Sequence, residues 1–333
     1  MKIGVLALTT SGRQLAERIA TRLPDCRVIR IEQGIAATLR ENWREFDGFV
    51  TIMAAGITIR AIAPLLQDKT SDPAVVGLDE KGTHVISLLS GHLGGGNSLA
   101  HAVAAITGGS AVITTASDTL NLVPLDLWAA AQKLKAVDRK VFTSASSILV
   151  NKGELCIYTE VDVEDLPAGL IAVEDSGAAD LVISHRLMDT EKYVLHPPNL
   201  VVGVGCNRNT PVDEFEKALD ELFAGLSLSP LSIRNLASIE AKKDEEGLLL
   251  FGEKNGWPIE FFDSDTINTV TGIDESAAAL KAVGAKGVAE PTALLSANTS
   301  TLLCRKHKWQ NITMAVARAP FTLSAQVLDH LST

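Results

Sequence analysis

The first third of the chain alternates short apolar, β-branched runs with segments of helical periodicity. This alternation predicts strand–helix–strand units around a parallel sheet, because a parallel neighbour can be reached only through a crossover connection. The predicted strands are 3–8, 27–31, 48–53, 74–78, 84–89 and 111–115, and the predicted helices are 12–22, 32–40, 57–66 and 97–106. The fold class is therefore α/β, and we predict an N-terminal domain with a parallel sheet over residues 1–125.

The rest of the chain predicts two further domains, since 333 residues exceed the length over which one core usually grows. A weaker pattern favours a small middle α/β domain over residues 126–198, which ends at the linker-like pair Pro197 and Pro198. Its predicted elements are a helix at 128–136 and strands at 155–159, 181–184 and 193–196. A separate C-terminal α/β domain covers residues 199–320. Its first helix is predicted to have Thr210 as N-cap and Pro211 as first residue.

Composition and charge narrow the class of protein. Hydrophobic residues make up 46% and charged residues 21%, as in ordinary globular proteins. No apolar run approaches the roughly 18 to 20 residues that span a bilayer, so no membrane association is expected. The net charge of −10 argues against nucleic-acid binding, which needs a basic face. The four cysteines are far apart and form no C-x-x-C pair, so we expect a cytoplasmic localisation.

The glycine-rich segment from Ser90 to Asn97 follows a predicted strand and opens a predicted helix. Glycines there let the backbone approach a ligand closely, and free N–H groups at a helix start bind anions. The segment contains His92, and histidine is the residue most often used for proton transfer. Two interpretations stay open at this point: a site for a carboxylate or oxyanion, and an ordinary glycine-rich turn without a ligand.

Motifs of several common enzyme classes are absent from the sequence. The turn after the first strand, Thr9 to Arg13, lacks the G-x-G-x-x-G pattern of dinucleotide folds, and neither a phosphate loop nor a G-x-S-x-G nucleophile elbow occurs. The histidines form no metal-binding pair, so no protein-held metal is expected. The acidic run Asp244 to Glu246 is interpreted as a solvated helix start. The basic run Arg305 to Lys308, beside Trp309, fits either a carboxylate site or an edge strand.

The order of several segments resembles that of the CbiG family of cobalamin biosynthesis. The resemblance covers most of residues 1–120 and 199–318, and matches in a fixed order are more specific than one glycine-rich loop. Two positions depart from the family pattern: Asn207, which is often basic in relatives, and Arg305, where a small residue or proline is expected. The matching segments are 53–66, 72–76, 90–97, 114–118, 203–211, 237–240, 287–290 and 313–318.

The resemblance implies a cobalt-precorrin-5A hydrolase of the anaerobic pathway to cobalamin, vitamin B12. The family opens the δ-lactone of cobalt-precorrin-5A and releases the C20 bridge as acetaldehyde, which gives cobalt-precorrin-5B. The expected ligand is a cobalt-corrinoid small molecule. Because the substrate carries the cobalt, no cofactor of the protein is expected.

Residue chemistry inside the matched segments assigns roles to candidates. His92 is the only histidine in a matched motif, so we hypothesise that it is the catalytic base. The N–H groups of Gly94, Gly95 and Gly96 are hypothesised to bind the oxyanion. Asp118 and Glu290 are the next candidates for the base. A substrate with many carboxylate arms also needs several cations around an apolar cleft. The predicted substrate-binding residues are Gly56, Arg60, Ser90, Asn97, Asp118, Gly205, Cys206, Arg208, Lys242, Glu290, Lys306 and Lys308.

Two other functions remain open from the sequence. The same loop and cations would serve a non-catalytic corrinoid carrier or chaperone that protects an unstable intermediate. The segment Gly94 to Gly96 would also serve as the phosphate cradle of a sugar-phosphate or nucleotide enzyme. The sequence does not decide whether the protein is a homodimer, or whether it transiently contacts other enzymes of the cobalamin pathway.

Overall fold

The structure is a computed structural model that describes residues 1–68, 71–188 and 192–327. The chain divides into two compact units, residues 1–131 together with 326–327, and residues 132–325. The predicted middle segment, 126–198, and C-terminal segment, 199–320, fall almost entirely in the second unit, and their separation into two domains stays a prediction. Within the described ranges, no helix is long and apolar enough to cross a membrane.

The first unit is built on one sheet whose strand order is β2-β1-β3-β4-β5-β6 in the described residues. Its strands are β1 (Ile3–Ala7), β2 (Cys26–Val28), β3 (Gly48–Ile52), β4 (Ala74–Leu78), β5 (His84–Leu89) and β6 (Ser110–Val112). Its helices are α1 (Thr10–Ala20), α2 (Ile35–Asn42), α3 (Ala55–Ile62), α4 (Gly96–Thr107), α5 (Ala116–Thr119) and α6 (Leu125–Ala131). Strands β1, β3 and β4 are buried along their whole length, as expected of central strands covered on both faces. The predicted α/β class and parallel N-terminal sheet are confirmed, with one antiparallel pair, β4 and β5.

A tight turn between β4 and β5 makes that pair antiparallel. Asp79 accepts hydrogen bonds from the backbone N–H groups of Lys81 (2.9 Å) and His84 (2.6 Å), and Gly82 has a φ of 71°. The chain therefore reverses without a crossover helix. As a result Leu89, at the end of β5, pairs with Val75 near the start of β4. The loop after β5 thus lies at the opposite edge of the sheet from the loops after β3 and β4.

The second unit begins with α7 (Lys140–Lys152) and a small parallel sheet of order β11-β10-β7-β9 among the described residues. Its strands are β7 (Leu155–Thr159), β9 (Leu170–Ala172), β10 (Leu181–Ile183) and β11 (Tyr193–Leu195), while β8 (Asp162–Val163) pairs with β17 (Thr322–Leu323). The strands predicted at 155–159, 181–184 and 193–196 are confirmed to within one residue. The helix predicted at 128–136 is wrong in its extent, because α6 ends at Ala131. Helix α7 was not predicted, since it buries only Ala145 and Leu149 and has little apolar periodicity.

A second sheet in this unit has the order β14-β13-β12-β16-β15 in the part of the chain that is described. Strand β15 is at the edge, so the basic run Arg305 to Lys308 lies on an edge strand, where lysines disfavour pairing with another chain. The strands are β12 (Leu200–Cys206), β13 (Ile233–Ile239), β14 (Ile259–Phe262), β15 (Leu302–Lys308) and β16 (Ile312–Arg318). The helices are α8 (Val212–Leu226), α9 (Glu246–Asn255), α10 (Ser264–Asn268), α11 (Ala277–Val283) and α12 (Ala289–Ala297).

The start of α8 differs from the prediction by one residue. The helix begins at Val212, with Pro211 rather than Thr210 in the N-cap position. The hydroxyl of Thr210 instead donates a hydrogen bond to the carbonyl oxygen of Asn207 (2.9 Å). The predicted acidic residues of the first turn, Asp213 and Glu214, are in place and favour the positive end of the helix dipole.

Candidate active site

The loop from Ser90 to Gly95 joins β5 to α4 and has a compact backbone. Ser90 and Gly95 have positive φ angles of 54° and 80°. A side chain at Gly94 would collide with Ser90, and a Cβ at Gly96 would lie 2.7 Å from the carbonyl oxygen of Leu89. Glycine is therefore required at both positions for the turn to close. The closed turn fixes the position of His92 at the end of β5.

His92 is held by a carboxylate from the neighbouring strand connection. Its Nε2 lies 2.9 Å from Oδ2 of Asp118 and 3.2 Å from Oγ of Ser117. Strands β5 and β6 are parallel neighbours, so the segments that follow them meet at one edge of the sheet. The same Asp118 oxygen accepts hydrogen bonds from Nδ2 of Asn97 (3.1 Å) and Oγ1 of Thr115 (2.5 Å). These bonds fix the carboxylate, which in turn orients the imidazole ring.

The charge on Asp118 decides where the proton of a neutral His92 lies. Burial opposes ionisation, but hydrogen bonds from Thr115 and His92 outweigh it and hold the pKa of the Asp118 carboxyl below its ordinary value of 3.8. An ionised carboxylate only accepts hydrogen bonds, so the proton of neutral His92 lies on Nε2. The basic lone pair is consequently on Nδ1.

A second carboxylate faces this basic nitrogen. Oδ1 of Asp126, in the first turn of α6, lies 3.6 Å from Nδ1 of His92, and the two side chains are 24% and 21% exposed. Leu125 and Trp128 on either side of Asp126 are fully or almost fully buried and anchor the short helix. The imidazole is thus bracketed by Asp118 and Asp126.

The N–H groups of the glycine segment do not form the predicted oxyanion site. The Gly95 N–H donates to the carbonyl oxygen of His92 (2.8 Å), and the Gly96 N–H donates to that of Ser90 (2.9 Å). Both donors are occupied because the turn closes on itself. Of the three, only the Gly94 N–H has no acceptor among the described residues, so one donor remains where three were predicted.

Three predicted substrate contacts instead support the loop. Oγ of Ser90 donates to the carbonyl oxygen of Asp72 (2.8 Å), and Nδ2 of Asn97 donates to Thr115 (3.0 Å) as well as to Asp118. Asp118 is engaged with His92. Ser90 Oγ, Asn97 Nδ2 and Asp118 Oδ2 are thus engaged within the protein, and the role of these residues in substrate binding stays a prediction.

A cavity of about 730 Å³ borders the loop on the Gly94 side. Leu93 and Gly94 line it, together with Trp43, Phe46 and Arg44, whereas His92 does not. Its volume is within the range of small-molecule sites, about 300–1,000 Å³. Part of a substrate could therefore lie next to the free Gly94 N–H.

The structure does not bring Gly56 and Arg60 to this loop. Both belong to α3, which follows the carboxyl end of β3, and their side-chain positions are exposed. The Arg60 guanidinium lies against Gly56, where a Cβ would be 3.4 Å from one of its nitrogens. Because β5 runs antiparallel to β4, these residues lie at the opposite edge of the sheet from His92.

The second unit gathers the other predicted residues around one cavity of about 970 Å³. The cavity lies at the carboxyl ends of β12 and β13, where open α/β sheets commonly bind ligands. A side chain at Gly203 would collide with the carbonyl oxygen of Ala289, so glycine there lets α12 pack closely against β12. All seven predicted residues of this segment line the cavity: Gly205, Cys206, Arg208, Lys242, Glu290, Lys306 and Lys308.

One of the predicted cations is buried in an internal ion pair. Nζ of Lys242 lies 3.3 Å from Oε2 of Glu245, and the two side chains are 9% and 3% exposed. Oε1 of Glu245 also accepts a hydrogen bond from the backbone N–H of Thr210 (3.3 Å). The interpretation of Asp244 to Glu246 as a solvated helix start is therefore wrong for Glu245. This buried carboxylate links the segment before α9 to Thr210, in the segment before α8.

The other predicted cations of this cavity differ in whether their side chains already have an ion-pair or hydrogen-bond partner. NH1 of Arg208 lies 2.5 Å from Oδ1 of Asp244, in an exposed ion pair. Nζ of Lys306 donates to the carbonyl oxygen of Asp274 (2.6 Å). Lys308 is exposed, and its side chain makes no hydrogen bond or ion pair within residues 1–68, 71–188 and 192–327. Lys308 is thus the cation of the cavity with the most freedom to bind an anion.

Glu290 and Cys206 border the cavity but do not offer a reactive group. The carboxylate of Glu290 is buried and accepts backbone N–H groups of Lys306 (2.9 Å) and Asp274 (2.8 Å) on its two oxygens. It joins β15 to the segment before α11, and its place as a candidate base stays a prediction. Burial raises the pKa of the Cys206 thiol to about 11, so the thiol is neutral at physiological pH.

Sequence reasoning missed Asp126 and gave no role to Ser117 and Thr115. A usable signal existed for one contact: Thr115 and Asp118 have the spacing of a capping box, which places two such side chains together. Asp126 carried no comparable signal, because its proximity to His92 depends on the path of the chain after β6.

Known proteins resemble this chain over most of its length. Residues 37–118 match the family model Cobalamin synthesis G N-terminal, and residues 200–317 match Cobalamin synthesis G C-terminus. The chain is 36% identical to cobalt-precorrin-5A hydrolase of Priestia megaterium, over 84% of this chain and 80% of that protein. It is 32% identical to cobalt-precorrin-5A hydrolase of Salmonella typhimurium, over 88% and 91%. Protein CobE of Sinorhizobium sp. is 30% identical over 38% of this chain and 84% of that protein.

The two matched segments, one in each compact unit, define a protein of cobalamin synthesis with both the N-terminal and the C-terminal module. The chain belongs to the family of cobalt-precorrin-5A hydrolases. His92 and Asp118 lie inside the first matched segment, and Lys308 inside the second. Asp126 lies outside both.

Proposed function

We propose that this protein opens the δ-lactone of cobalt-precorrin-5A and releases the C20 bridge with its methyl group as acetaldehyde, which leaves cobalt-precorrin-5B. Family membership supports the choice of reaction. The single observation that supports the chemistry is the His92–Asp118 pair, which leaves Nδ1 of the imidazole as a base. Cobalt is part of the substrate, and the proposed chemistry uses no cofactor of the protein.

In the first step, Nδ1 of His92 takes a proton from water as the water oxygen attacks the lactone carbonyl. The tetrahedral intermediate collapses, the ring C–O bond breaks, and the departing oxygen takes the proton from the imidazolium. The products are a carboxyl group and a hydroxyl on C20. Asp118 keeps the ring in place and stabilises the imidazolium while it exists.

In the second step, the same nitrogen removes the proton of the C20 hydroxyl. The C–O bond becomes a carbonyl, the bond between C20 and the macrocycle breaks, and its electron pair passes to the electron-poor ring system. The proton held by His92 then neutralises the macrocycle. Acetaldehyde leaves and His92 is again neutral, so one base serves both steps.

The cavity of the second unit supports the binding of an anionic substrate. Arg208, Lys306 and Lys308 line about 970 Å³ of space, and carboxylate arms would form charge-assisted hydrogen bonds with such cations. Lys308 is available for a carboxylate without breaking an existing bond. For Arg208, a substrate carboxylate would have to compete with the exposed carboxylate of Asp244.

The test is incubation of the purified protein with cobalt-precorrin-5A and measurement of acetaldehyde with an alcohol dehydrogenase assay. We expect release that exceeds the amount of protein many times over. A non-catalytic corrinoid carrier would bind the compound and change its absorption spectrum without releasing acetaldehyde. That result would contradict the proposal.

A further inference from the structure

We propose that Asp126 and Nδ1 of His92 together bind the attacking water, with Asp126 accepting the hydrogen that the water keeps. The inference rests on the proposed function, which makes His92 the base. It adds a carboxylate that lies outside both matched family segments.

The geometry places two hydrogen-bond acceptors face to face. With the proton of neutral His92 on Nε2, the lone pair of Nδ1 and the carboxylate oxygen of Asp126 are 3.6 Å apart. That distance is too long for a direct hydrogen bond, and two acceptors repel each other unless a donor lies between them. A water molecule has two hydrogens and bridges such a gap with two contacts of about 2.8 Å.

The bridge would orient the water for attack. One hydrogen points to Nδ1, which removes it, and the other points to Asp126, so a lone pair of the oxygen is left for the lactone carbonyl. Holding a nucleophile in this way lowers the entropy lost in the reaction. Asp126 is suited to the task because buried Leu125 and Trp128 anchor its helix.

A purely structural role for Asp126 is the competing explanation. Its Oδ1 accepts the backbone N–H of Leu127 (3.0 Å), and an acidic residue in a first helical turn favours the helix dipole. Asp126→Asn separates the two explanations. The amide retains an oxygen that can accept from Leu127 and has the same size, but it removes the carboxylate charge.

The experiment measures kcat and KM for acetaldehyde release in wild type, Asp126→Asn, His92→Ala and the double variant. We expect Asp126→Asn to lower kcat by about 10- to 100-fold, with KM changed by no more than about twofold. In the double variant the loss should stay within about twofold of that of His92→Ala, because Asp126 acts through the same water. Asp25→Asn, an exposed carboxylate of the same unit, is the matched control. A kcat of Asp126→Asn within threefold of wild type, or a double variant that loses the full product of both factors, would overturn the inference.

A measurement without substrate separates this inference from the proposed function. In ¹⁵N spectra of the histidine ring nitrogens, Asp126→Asn should move the Nδ1 resonance of His92 while the Nε2–H bond to Asp118 persists. An unchanged Nδ1 resonance would overturn the pairing. If the resonance moves but wild-type protein releases no acetaldehyde, the pairing stands and the proposed reaction fails.

Discussion

The loop of the first unit and the cavity of the second unit use polar side chains in opposite ways. Around His92, two carboxylates and several hydrogen bonds converge on one imidazole ring. Around the cavity of about 970 Å³, cations are distributed along its border, and only the side chain of Lys308 has no hydrogen bond or ion pair among the described residues. Proton transfer needs groups held at fixed distances, whereas an anionic ligand with many arms needs volume and dispersed positive charge. On this difference we propose that the first unit contributes the chemistry and the second unit contributes affinity.

The largest effect should come from removing the base. We expect His92→Ala to lower kcat for acetaldehyde release by about 10²- to 10⁴-fold, the usual contribution of a general acid–base group. Stability should change by about 1 kcal/mol, because Asp118 keeps its bonds from Asn97 and Thr115. Steady-state kinetics and thermal unfolding on the same preparation measure both.

The matched control for that variant is His101→Ala, since His101 is an exposed histidine of α4 in the same unit. It should leave both quantities near the wild-type values. If His92→Ala keeps wild-type turnover, the assignment of chemistry to the first unit fails.

A smaller and different effect is expected in the second unit. Lys308→Ala should raise KM by about 5- to 10-fold, which corresponds to about 1–1.4 kcal/mol for one lost charge-assisted contact, and should leave kcat unchanged. Affinity of the wild type should also fall as ionic strength rises, and less steeply in the variant. Titration with a corrinoid at low and high salt measures this.

Lys281→Ala provides the control, because Lys281 belongs to α11 beside the cavity but does not line it. Equal effects of the two substitutions would indicate general attraction rather than a contact. A kcat lowered together with an unchanged KM would place Lys308 in the chemistry and remove the distinction between the two units.

The sequence predicted the strands and the glycine-rich motif well where residues close together in the chain determine the structure. The apolar runs at β1, β3 and β4 are buried strands. His92 and Asp118, which lie together in the structure, both belong to segments that the sequence analysis matched to the family. The C-terminal candidates Arg208 and Lys308 proved to line one cavity. Periodicity and residue type contain this information because neighbouring residues determine it.

What could not be predicted depends on contacts between distant residues. The hairpin at Asp79 reverses β5, which puts Arg60 and His92 at opposite edges of one sheet. The N–H groups of Gly95 and Gly96 donate hydrogen bonds within the glycine-rich turn itself, so they are not available to a ligand. The buried pair Lys242 and Glu245 looks like surface charge in a linear sequence, because only the folded chain shows what covers it.

Histidines of the two units also differ in their surroundings, which leads to the smallest predicted effect. His185 in the second unit is 2% exposed, and neither ring nitrogen has a hydrogen-bond partner within the described residues. Its nearest carboxylate oxygen, in Glu160, is 3.8 Å from Nδ1. Burial lowers the pKa of His185, and the nearby charges of Arg186 and Arg318 add to this, while Glu160 opposes it. Burial also lowers the pKa of the adjacent His196.

The lowered pKa of His185 makes stability depend on pH in a defined direction. Below the ordinary histidine pKa of 6.5, the unfolded chain binds a proton at this position that the folded chain does not. The free energy of unfolding should therefore fall as the pH drops from 6.5 towards the lower folded-state pKa, and this contribution should be constant above 6.5. One histidine contributes a slope of at most about 1.4 kcal/mol per pH unit.

His185→Gln should reduce the slope measured by urea unfolding between pH 7 and 5 and leave turnover at pH 7 unchanged. His307→Gln, at an exposed position of the same unit, shows how much of the change follows from losing any histidine. An unaltered slope in His185→Gln would mean that His185 binds its proton equally in the folded and unfolded chain, and the contrast with His92 would then lose its basis.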